Sequence, residues 1–181
     1  MSEVIISLGA NLGDREMYLM RAIKGVESLG QLIDISDIWE SEPWGYTRQP
    51  SFQNAIALIL TTLPPQRLLK ELKRMEVELG RVDRFRWGPR EIDLDIIDYN
   101  KVVLRTRALQ LPHPRLHLRA FVLLPLSQVK PDWRHPVTGE SLQQLLTRIP
   151  TRGIRLYMSD RWRRLLEDKL SRRRVPLLRE Y

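Results

Sequence analysis

The order of its hydrophobic segments constrains the fold of this chain more than any other feature of the sequence. Short apolar runs bounded by glycine, proline and asparagine predict strands, and stretches with apolar residues three to four positions apart predict helices. In chain order the pattern is strand, helix, strand, strand, helix, strand, at about residues 4–8, 15–29, 32–40, 52–61, 64–79 and 92–99. That order is typical of an α+β ferredoxin-like sandwich, in which helices flank a largely antiparallel sheet.

The residues beyond 100 add shorter elements. Their patterns predict a short strand at 102–104 and helices near 121–129 and 142–146. With 181 residues the chain is long enough for one domain with a substantial core, and a second full domain would have little room. We therefore predict one domain over residues 1–150, followed by a C-terminal extension over residues 151–181.

Several protein classes are excluded by what the sequence lacks. It contains no cysteine, which excludes disulfides and thiolate zinc sites. It has no Gly-x-x-x-x-Gly-Lys-[Ser/Thr] loop, no dinucleotide-binding glycine fingerprint and no nucleophile elbow. Its longest apolar stretches are far shorter than a membrane span, and its first residues lack the pattern of a signal peptide. We therefore expect a cytoplasmic protein that does not bind membranes.

The net charge of +8 is concentrated in the extension. Residues 151–181 hold ten Arg or Lys against four acids, while the first 150 residues hold 20 against 18. In the extension, Ser159 precedes a helical pattern whose apolar stripe, followed by Arg172–Arg174, consists of Trp162, Leu165, Leu166 and Leu170. We predict that this amphipathic helix packs on the domain. The alternatives are self-association through the extension, or binding to an anionic surface such as nucleic acid or lipid.

A basic loop runs directly into a strand with two carboxylates, in the segment Arg86-Trp87-Gly88-Pro89-Arg90-Glu91-Ile92-Asp93-Leu94-Asp95-Ile96. Alternate residues of a strand share a face, so Asp93 and Asp95 point the same way, opposite to their apolar neighbours. Mg²⁺ is usually held by one or two carboxylates together with water and substrate phosphates. Arg86 and Arg90 would then neutralise the remaining phosphate charge. The alternative is that both aspartates pair with these arginines or face water.

Further candidates lie on other predicted elements. Phe52 and Asn54 share one face of a strand, a combination that suits a flat, hydrogen-bonding heterocycle, although a Phe at a strand start is more often core. Glu76 precedes Gly80-Arg81 near a helix end, where an ordinary solvated glutamate is the alternative. His113, in a proline-stiffened loop, is the histidine best placed for phosphate contact. Phosphate handling would then depend on a metal and on arginines.

Taken in order, these motifs resemble the 6-hydroxymethyl-7,8-dihydropterin pyrophosphokinase family. The resemblance covers roughly residues 3–150 and is strongest in Arg86–Ile97. It is supported in chain order by Ser7-Leu8-Gly9-Ala10-Asn11-Leu12-Gly13, Pro50-Ser51-Phe52-Gln53-Asn54-Ala55, Glu76-x-x-x-Gly80-Arg81, Pro112-His113-Pro114 and Arg119-Ala120-Phe121. It implies ATP-dependent transfer of pyrophosphate to the hydroxymethyl group of the pterin, with release of AMP, in folate biosynthesis.

The resemblance also implies roles for individual residues. Asp93 and Asp95 would hold two Mg²⁺ ions, and with Arg81 and Arg90 they would form the catalytic group. The pterin site would consist of Ser41, Pro43, Trp44, Phe52, Asn54 and Phe121. The nucleotide site would consist of Glu76, Arg84, Trp87, Arg90, Ile96, His113 and Arg119. The loops at 44–50 and 81–89 would close over the two small-molecule substrates.

Two positions inside the family region depart from its pattern. Asp83 stands where members often have arginine, which leaves two alternatives: Arg84 takes over that phosphate contact, or the contact is lost. Asp98 stands where an apolar residue is common after the metal-binding strand. Two other functions remain as alternatives: a non-catalytic member that binds pterin or a protein partner, and a basic nucleic-acid-binding protein that uses the extension.

Overall fold

The first strand is an interior strand of the main sheet. In this computed structural model, which describes residues 1–173, β1 (Ser2–Ala10) pairs antiparallel with β4 (Phe52–Thr61) and with β5 (Asp93–Tyr99). β2 (Gln31–Ile35) and β3 (Ile38–Ser41) both pair antiparallel with the far edge of β4. The predicted α+β sheet is confirmed, and its antiparallel pairing follows from the strand order.

The region predicted as one strand at 32–40 is two strands. The ladder on β4 is interrupted at Ser36, whose backbone N–H donates to the Ile56 carbonyl at 2.9 Å. The Ser36 hydroxyl accepts from the Ile56 N–H, also at 2.9 Å, so a side chain takes a place that backbone would occupy in a regular ladder. Hydrophobic periodicity cannot predict such an interruption, because it depends on a hydrogen bond between a side chain and the backbone of another strand.

One face of the sheet is covered by α1 (Arg15–Leu29) and α2 (Pro65–Glu78). Asp14 caps α1 by accepting from the Met17 N–H at 3.1 Å, and α2 has proline at its first position. The apolar side of α2 packs on the sheet as predicted, through Leu68, Leu72 and Met75. Gly80, with φ of +94°, follows the helix in the left-handed conformation that ends many helices.

The opposite face is covered by α3 (Ala120–Val129) and α4 (Leu142–Leu146), close to the predicted bounds. The structure therefore has three layers: helices, sheet and helices. Trp133 is buried in this second core, and its Nε1 donates to Asp98 Oδ2 at 2.7 Å. The carboxylate of Asp98 also accepts from the Lys101 N–H at 3.0 Å, so this buried polar side chain is hydrogen-bonded through both of its oxygens.

A small hairpin lies beyond β5. It consists of β6 (Leu104–Arg105) and β7 (Gln110–Leu111), so the strand predicted at 102–104 begins two residues late. Val102 and Val103 are exposed, because the chain turns there through Asn100 and Lys101, both at positive φ. A short 3-10 turn, Leu116–Leu118, leads into α3.

The C-terminal extension joins the main sheet. β8 (Ile154–Tyr157) pairs antiparallel with β3, which gives the path β5-β1-β4-β3-β8, and α5 (Asp160–Arg173) follows. Trp162 is fully buried, and Leu165 and Leu166 pack against the same core as α1 and α2. The side chain of Leu170 and all of Arg174 lie outside the described residues. No helix within residues 1–173 is both long enough and apolar enough to cross a membrane.

Candidate active site

Three adjacent strands change from apolar to polar side chains at the same level of the sheet. Ile5, Ile56 and Ile97 pack in the core under α3 and α4. Further along the same face the strands carry the small or polar residues Ser7, Gly9, Asn54, Asp93 and Asp95. The register aligns these residues, because Gly9 lies opposite both Asn54 and Asp93, and Ser7 lies opposite Asp95. Together they form the floor of a cavity.

We call this space the aromatic cavity, since four rings line it. These rings belong to Trp44, Phe52, Trp87 and Phe121. Phe52 is the first residue of β4 and Phe121 lies in the first turn of α3, so the fold joins two predicted residues from distant parts of the sequence. Glu42 also lines the aromatic cavity, whereas its neighbour Pro43, a predicted pterin contact, does not.

Asn54 is held in place by β3. Its Nδ2 donates to Ser41 Oγ at 2.9 Å, and both residues are buried. Oδ1 of Asn54 stays beside Gly9 at the floor, 3.3 Å from where a Cβ at that glycine would lie. The amide is thus oriented before any ligand arrives, with its oxygen on the cavity side.

A second space, the basic cavity, adjoins the first. Its charged lining residues are Lys73, Arg81, Asp83, Arg84, Arg86, Arg90, Asp93, Asp95 and Arg119. The two cavities share five lining residues: Trp87, Arg90, Asp93, Asp95 and Arg119. The predicted carboxylates therefore lie where an apolar, ring-lined space meets a cationic one.

Asp93 and Asp95 differ in how firmly they are paired. Asp93 accepts from Arg81 at 2.6 Å and from Arg90 at 3.2 Å. Burial alone would raise the pKa of Asp93, but Lys73, Arg90 and Arg81 outweigh it and hold that pKa below its usual range. Asp95 has longer contacts, 3.3 Å to Lys73 and 3.9 Å to Arg119. Both aspartates share the face predicted from strand alternation, opposite the buried Leu94 and Ile96.

Glu76 supports this centre from α2 and lines neither cavity. Its carboxylate is buried and accepts from the Leu94 N–H at 2.6 Å, from Lys73 at 2.8 Å and from Arg81 at 2.7 Å. Burial raises the pKa of Glu76. Glu76 therefore holds Lys73 and Arg81, which in turn contact Asp95 and Asp93. A solvated surface glutamate, the alternative interpretation, is excluded by this burial.

Lys73 was not among the predicted site residues, although it lines the basic cavity. Its Nζ donates to Glu76, to the Leu94 carbonyl at 2.7 Å and to Asp95. Burial would lower the pKa of Lys73, but the carboxylates of Asp95, Asp93 and Glu76 outweigh it and raise that pKa. In the sequence, its position three residues before Glu76 on a predicted helix indicates that the two side chains are neighbours.

The loops at 42–51 and 81–91 contact each other across the mouth of the cavities. Trp44 packs edge-on against Trp87 with ring centroids 5.7 Å apart, and Tyr46 does the same with Phe85 at 5.2 Å. Gln49 Nε2 donates to the Trp87 carbonyl at 2.8 Å. Trp87 has a φ of +61°, uncommon for a bulky residue, and its ring is also contacted by the guanidinium groups of Arg86 and Arg115.

Asn11, also unpredicted, ties these loops to β1. Its Nδ2 donates to Gln49 Oε1 at 2.9 Å and to the Pro50 carbonyl at 3.0 Å, while its Oδ1 accepts from the Arg90 N–H at 2.8 Å. The residue is buried directly after the strand. Its place in the motif Gly9-Ala10-Asn11 was visible in the sequence, but the loops it joins lie 38 and 79 positions away.

Arg84 and Ile96 are placed differently from the other predicted nucleotide contacts. Arg84 lines the basic cavity, but its guanidinium is paired with Glu91 at 2.7 and 3.1 Å. This ion pair holds the pKa of Glu91 at about 2. Ile96 is buried against α1 and α2, because strand alternation turns its side chain away from both cavities. Its predicted nucleotide contact stays a prediction.

His113 and Arg119 lie together beside Asp95. His113 Nδ1 accepts from the Arg115 N–H at 3.1 Å, and its Nε2 lies 3.4 Å from Nη1 of Arg119. Burial, and then the charge of Arg119, lower the pKa of His113 to about 4. Arg119 packs over the rings of Trp44 and Phe121, and within residues 1–173 its buried Nε has no hydrogen-bond partner.

The sequence of the chain also matches a known protein family. The family model described as 7,8-dihydro-6-hydroxymethylpterin-pyrophosphokinase (HPPK) matches residues 5–131. The chain belongs to this family. Its HPPK region therefore includes both cavities, whereas β8 and α5 lie beyond the matched residues.

Bacterial relatives match this HPPK chain over most of their length. A protein of Aquifex aeolicus named 2-amino-4-hydroxy-6-hydroxymethyldihydropteridine pyrophosphokinase is 42% identical over 144 residues, which are 80% of this chain and 90% of the relative. A Pseudomonas aeruginosa protein of the same name is 39% identical over 83% of this chain and 94% of its own. The folic acid synthesis protein fol1 of Schizosaccharomyces pombe is 37% identical, but the match covers only 23% of it.

Solved structures support the HPPK fold. The crystal structure of Plasmodium falciparum HPPK-DHPS with pteroate superimposes with a TM-score of 0.66 at 14% identity. The superposition covers 81% of this chain and 42% of that one, so this chain corresponds to less than half of the Plasmodium protein. At such low identity the similarity concerns the fold alone.

Proposed function

We propose that this chain transfers the β,γ-pyrophosphoryl group of ATP to the hydroxymethyl oxygen of 6-hydroxymethyl-7,8-dihydropterin, with release of AMP. Membership of the HPPK family makes it a transferase of folate synthesis, with ATP as co-substrate. In the reaction, the substrate hydroxyl forms a bond to the β-phosphorus, the bond from that phosphorus to the α-phosphate oxygen breaks, and the hydroxyl proton is released.

The observation that supports this proposal most is the pair of adjoining cavities with Asp93 and Asp95 at their junction. The aromatic cavity suits the flat pterin, because Phe52 and Phe121 offer ring faces and Asn54 an oriented amide. The basic cavity suits the triphosphate, because guanidinium groups pair with phosphate oxygens in bidentate fashion. The acceptor hydroxyl and the phosphate chain would meet beside the two aspartates.

The residues at the junction fit Mg²⁺. Asp93 and Asp95 offer hard oxygen ligands on one face of β5, and the long contacts of Asp95 leave its lone pairs open. Within residues 1–173 no group of three or more His, Asp or Glu could hold a metal ion alone, which suits a metal completed by substrate phosphates and water. Two Mg²⁺ ions would be held by these aspartates, and when bound they would neutralise developing charge on the transferred group.

The chain's own residues position the reaction. Arg90 and Arg119 line both cavities and can contact the phosphates at the point of transfer. His113 lines neither cavity, but its Nε2 lies 3.4 Å from Nη1 of Arg119, so it can orient that guanidinium. The phosphate contact predicted for His113 stays a prediction. Glu76 keeps Arg81 and Lys73 in place, and the rings of Trp44 and Trp87 exclude water. Reactions of this type depend mainly on alignment and charge neutralisation, so no covalent intermediate is needed.

A product assay tests this function. With Mg²⁺, ATP and 6-hydroxymethyl-7,8-dihydropterin, the chain should form AMP and no ADP. Without the pterin it should form no AMP. Asp95→Asn should lower kcat by roughly a hundredfold or more, since charge stabilisation is the main source of rate. Asp132→Asn is the matched control, because Asp132 is exposed and lines neither cavity. Near-normal turnover of Asp95→Asn would refute the assignment of the metal-binding carboxylates.

The alternatives are less well supported. A non-catalytic pterin-binding member would bind the pterin and form no AMP in the same assay. A nucleic-acid-binding role through the extension is disfavoured, because several of its cations are already paired within the chain: Arg155 with Glu40, Arg161 with Asp14 and Glu16, and Lys169 with Glu27. That role predicts salt-dependent binding that is lost with the extension.

A further inference from the structure

The extension reaches the wall of the aromatic cavity through backbone pairing. β8 runs beside β3, with Arg155 opposite Glu40 and Ile154 opposite Ser41. The ladder continues past β3, because the Glu42 N–H donates to the Gly153 carbonyl at 3.1 Å. Ser41 and Glu42 both line the aromatic cavity. The start of the 42–51 loop is therefore fixed by residues that lie outside the family's matched region.

A side-chain network joins the extension to the other end of the same loop. Glu40 is only 12% exposed and pairs with Arg155 at 2.6 Å and with Arg15 at 3.2 Å. Arg15 in turn donates to the carbonyl and to the hydroxyl of Ser51, at 2.9 and 3.1 Å. Ser51 directly precedes Phe52 of the cavity wall. One chain of contacts thus connects β8, β3 and both ends of the loop.

The extension is itself anchored to α1 and to the core. Tyr157 donates to Glu16 at 2.9 Å, and Arg161 pairs with Asp14 at 3.0 Å. Trp162 is fully buried, and its Nε1 donates to the Ser36 carbonyl at 3.2 Å. Ser36 lies just before β3, so the attachment holds the strand that carries Ser41 at its far end. An element attached at so many points can restrain its neighbour.

We propose that β8 and α5 form a positioning element for the pterin side of the site. By pairing with β3 they hold Ser41, and through it the amide of Asn54, and they fix the start of the loop that carries Trp44. The identity of the ligand rests on the proposed function. The restraint on residues 40–51 does not depend on it, and it can be measured on the free protein.

Two proline substitutions separate this restraint from a general loss of stability. Bonded and non-bonded pairs alternate along an antiparallel ladder, and Glu42 and Gly153 are a bonded pair. The N–H of Arg155 therefore points at β3 and that of Leu156 points away. Arg155→Pro removes a backbone bond to β3 together with the ion pair to Glu40. Leu156→Pro, the control, places the same ring where an edge strand tolerates it. Arg155→Ala and Arg152→Ala form a milder pair, since Arg152 is exposed in the adjacent turn.

Hydrogen exchange and kinetics provide the two measurements. Arg155→Pro should speed amide exchange in residues 40–51. Because pterin binding is weakened, the pterin KM should rise about fivefold or more, while the ATP KM should stay within about twofold of the wild-type value. Leu156→Pro should change neither. Equal effects of the two prolines, or an equal rise of both KM values, would overturn the proposal.

Two further outcomes are separable. If Arg155→Pro does not fold, the alanine pair decides: faster exchange in residues 40–51 for Arg155→Ala alone supports the positioning element, and identical exchange refutes it. If the wild-type chain forms no AMP with the pterin, the proposed function fails, while the exchange comparison still decides whether the extension restrains the loop.

Discussion

Gly9 shows how a single residue sets the shape of the site. It lies on β1, opposite Asn54 of β4 on one side and Asp93 of β5 on the other, with ordinary strand backbone. A Cβ here would stand 3.3 Å from Asn54 Oδ1 and 3.9 Å from Phe52 Cδ1. The absence of a side chain therefore provides the cavity floor, and no unusual backbone conformation requires the glycine.

Gly9→Ala should therefore impair pterin binding with little effect on folding. The added methyl group crowds the oriented amide, so we expect the pterin KM to rise roughly tenfold, in line with the cost of overpacking. Stability should stay the same or increase slightly, because glycine in a strand is entropically unfavourable. Steady-state kinetics and thermal denaturation of the same preparation check both expectations. An unchanged pterin KM would show that the ligand does not reach this floor.

His113 is the second residue with a testable property, because its buried environment lowers its pKa. Its pKa is about 4 in the folded chain and near 6.5 when unfolded. Between these values the unfolded state binds more protons, so this contribution to stability is complete above pH 6.5 and is lost as the pH falls towards 4. NMR titration should find the His113 ring still neutral at pH 5.5. A midpoint near 6.5 would contradict the buried position beside Arg119.

At the scale of elements, the loop at 81–91 is held closed by an ion pair at its base. Arg84 and Glu91 pair at 2.7 Å, and Glu91 also accepts from the Val82 N–H at 3.2 Å. The pKa of Glu91, about 2, lies below its ordinary value of 4.5. The contribution of this carboxylate is therefore present above pH 4.5 and is lost as the pH falls towards 2.

Glu91→Gln should loosen this loop. Amide exchange in residues 82–91 should become roughly twofold to fivefold faster at pH 7, the range expected when a partly exposed ion pair is removed. Glu78→Gln is the control, because it removes an exposed ion pair with Arg74 on α2. In urea denaturation, the difference between wild type and Glu91→Gln should shrink at pH 3. A loop that exchanges equally in all three proteins would mean that the aromatic pairs alone hold it.

The spacing of apolar residues in the sequence predicted the helices and strands whose burial is periodic. It did not predict β8, whose strand pairing depends on residues far away in the sequence. The alternation around Asp93 and Asp95 and the apolar stripe of α2 were visible in the sequence, and the structure confirms them. β8 was not predicted, because Ile154–Tyr157 is short and half-exposed, and only β3, more than a hundred positions earlier, makes it a strand. Asn11 and Lys73 were missed for a related reason, since most of their partners come from other segments.

At the scale of the whole molecule, the charges of the extension are also paired with residues that are distant in the sequence. The extension carries most of the excess positive charge of the chain. In the structure, part of that charge lies against acids of the N-terminal third, where Arg155, Arg161 and Lys169 each meet a carboxylate. A basic segment that is separate in the sequence is thus electrostatically matched to β3 and α1. The compositional difference therefore does not coincide with a structural boundary, because β8 continues the main sheet.

Trp162→Ala tests whether the extension and the domain unfold together. The indole is fully buried against the core that α1 and α2 share, so its removal should cost about 3–5 kcal/mol, as for other large-to-small core changes. Because β8 continues the main sheet, we expect one transition, shifted as a whole, in urea denaturation followed by circular dichroism and by hydrogen exchange of β1. Leu156→Ala, at a side chain that is 52% exposed, should leave the midpoint nearly unchanged. Two separate transitions, with β1 protected as in wild type, would mean that the extension is an appendage that the sheet does not need.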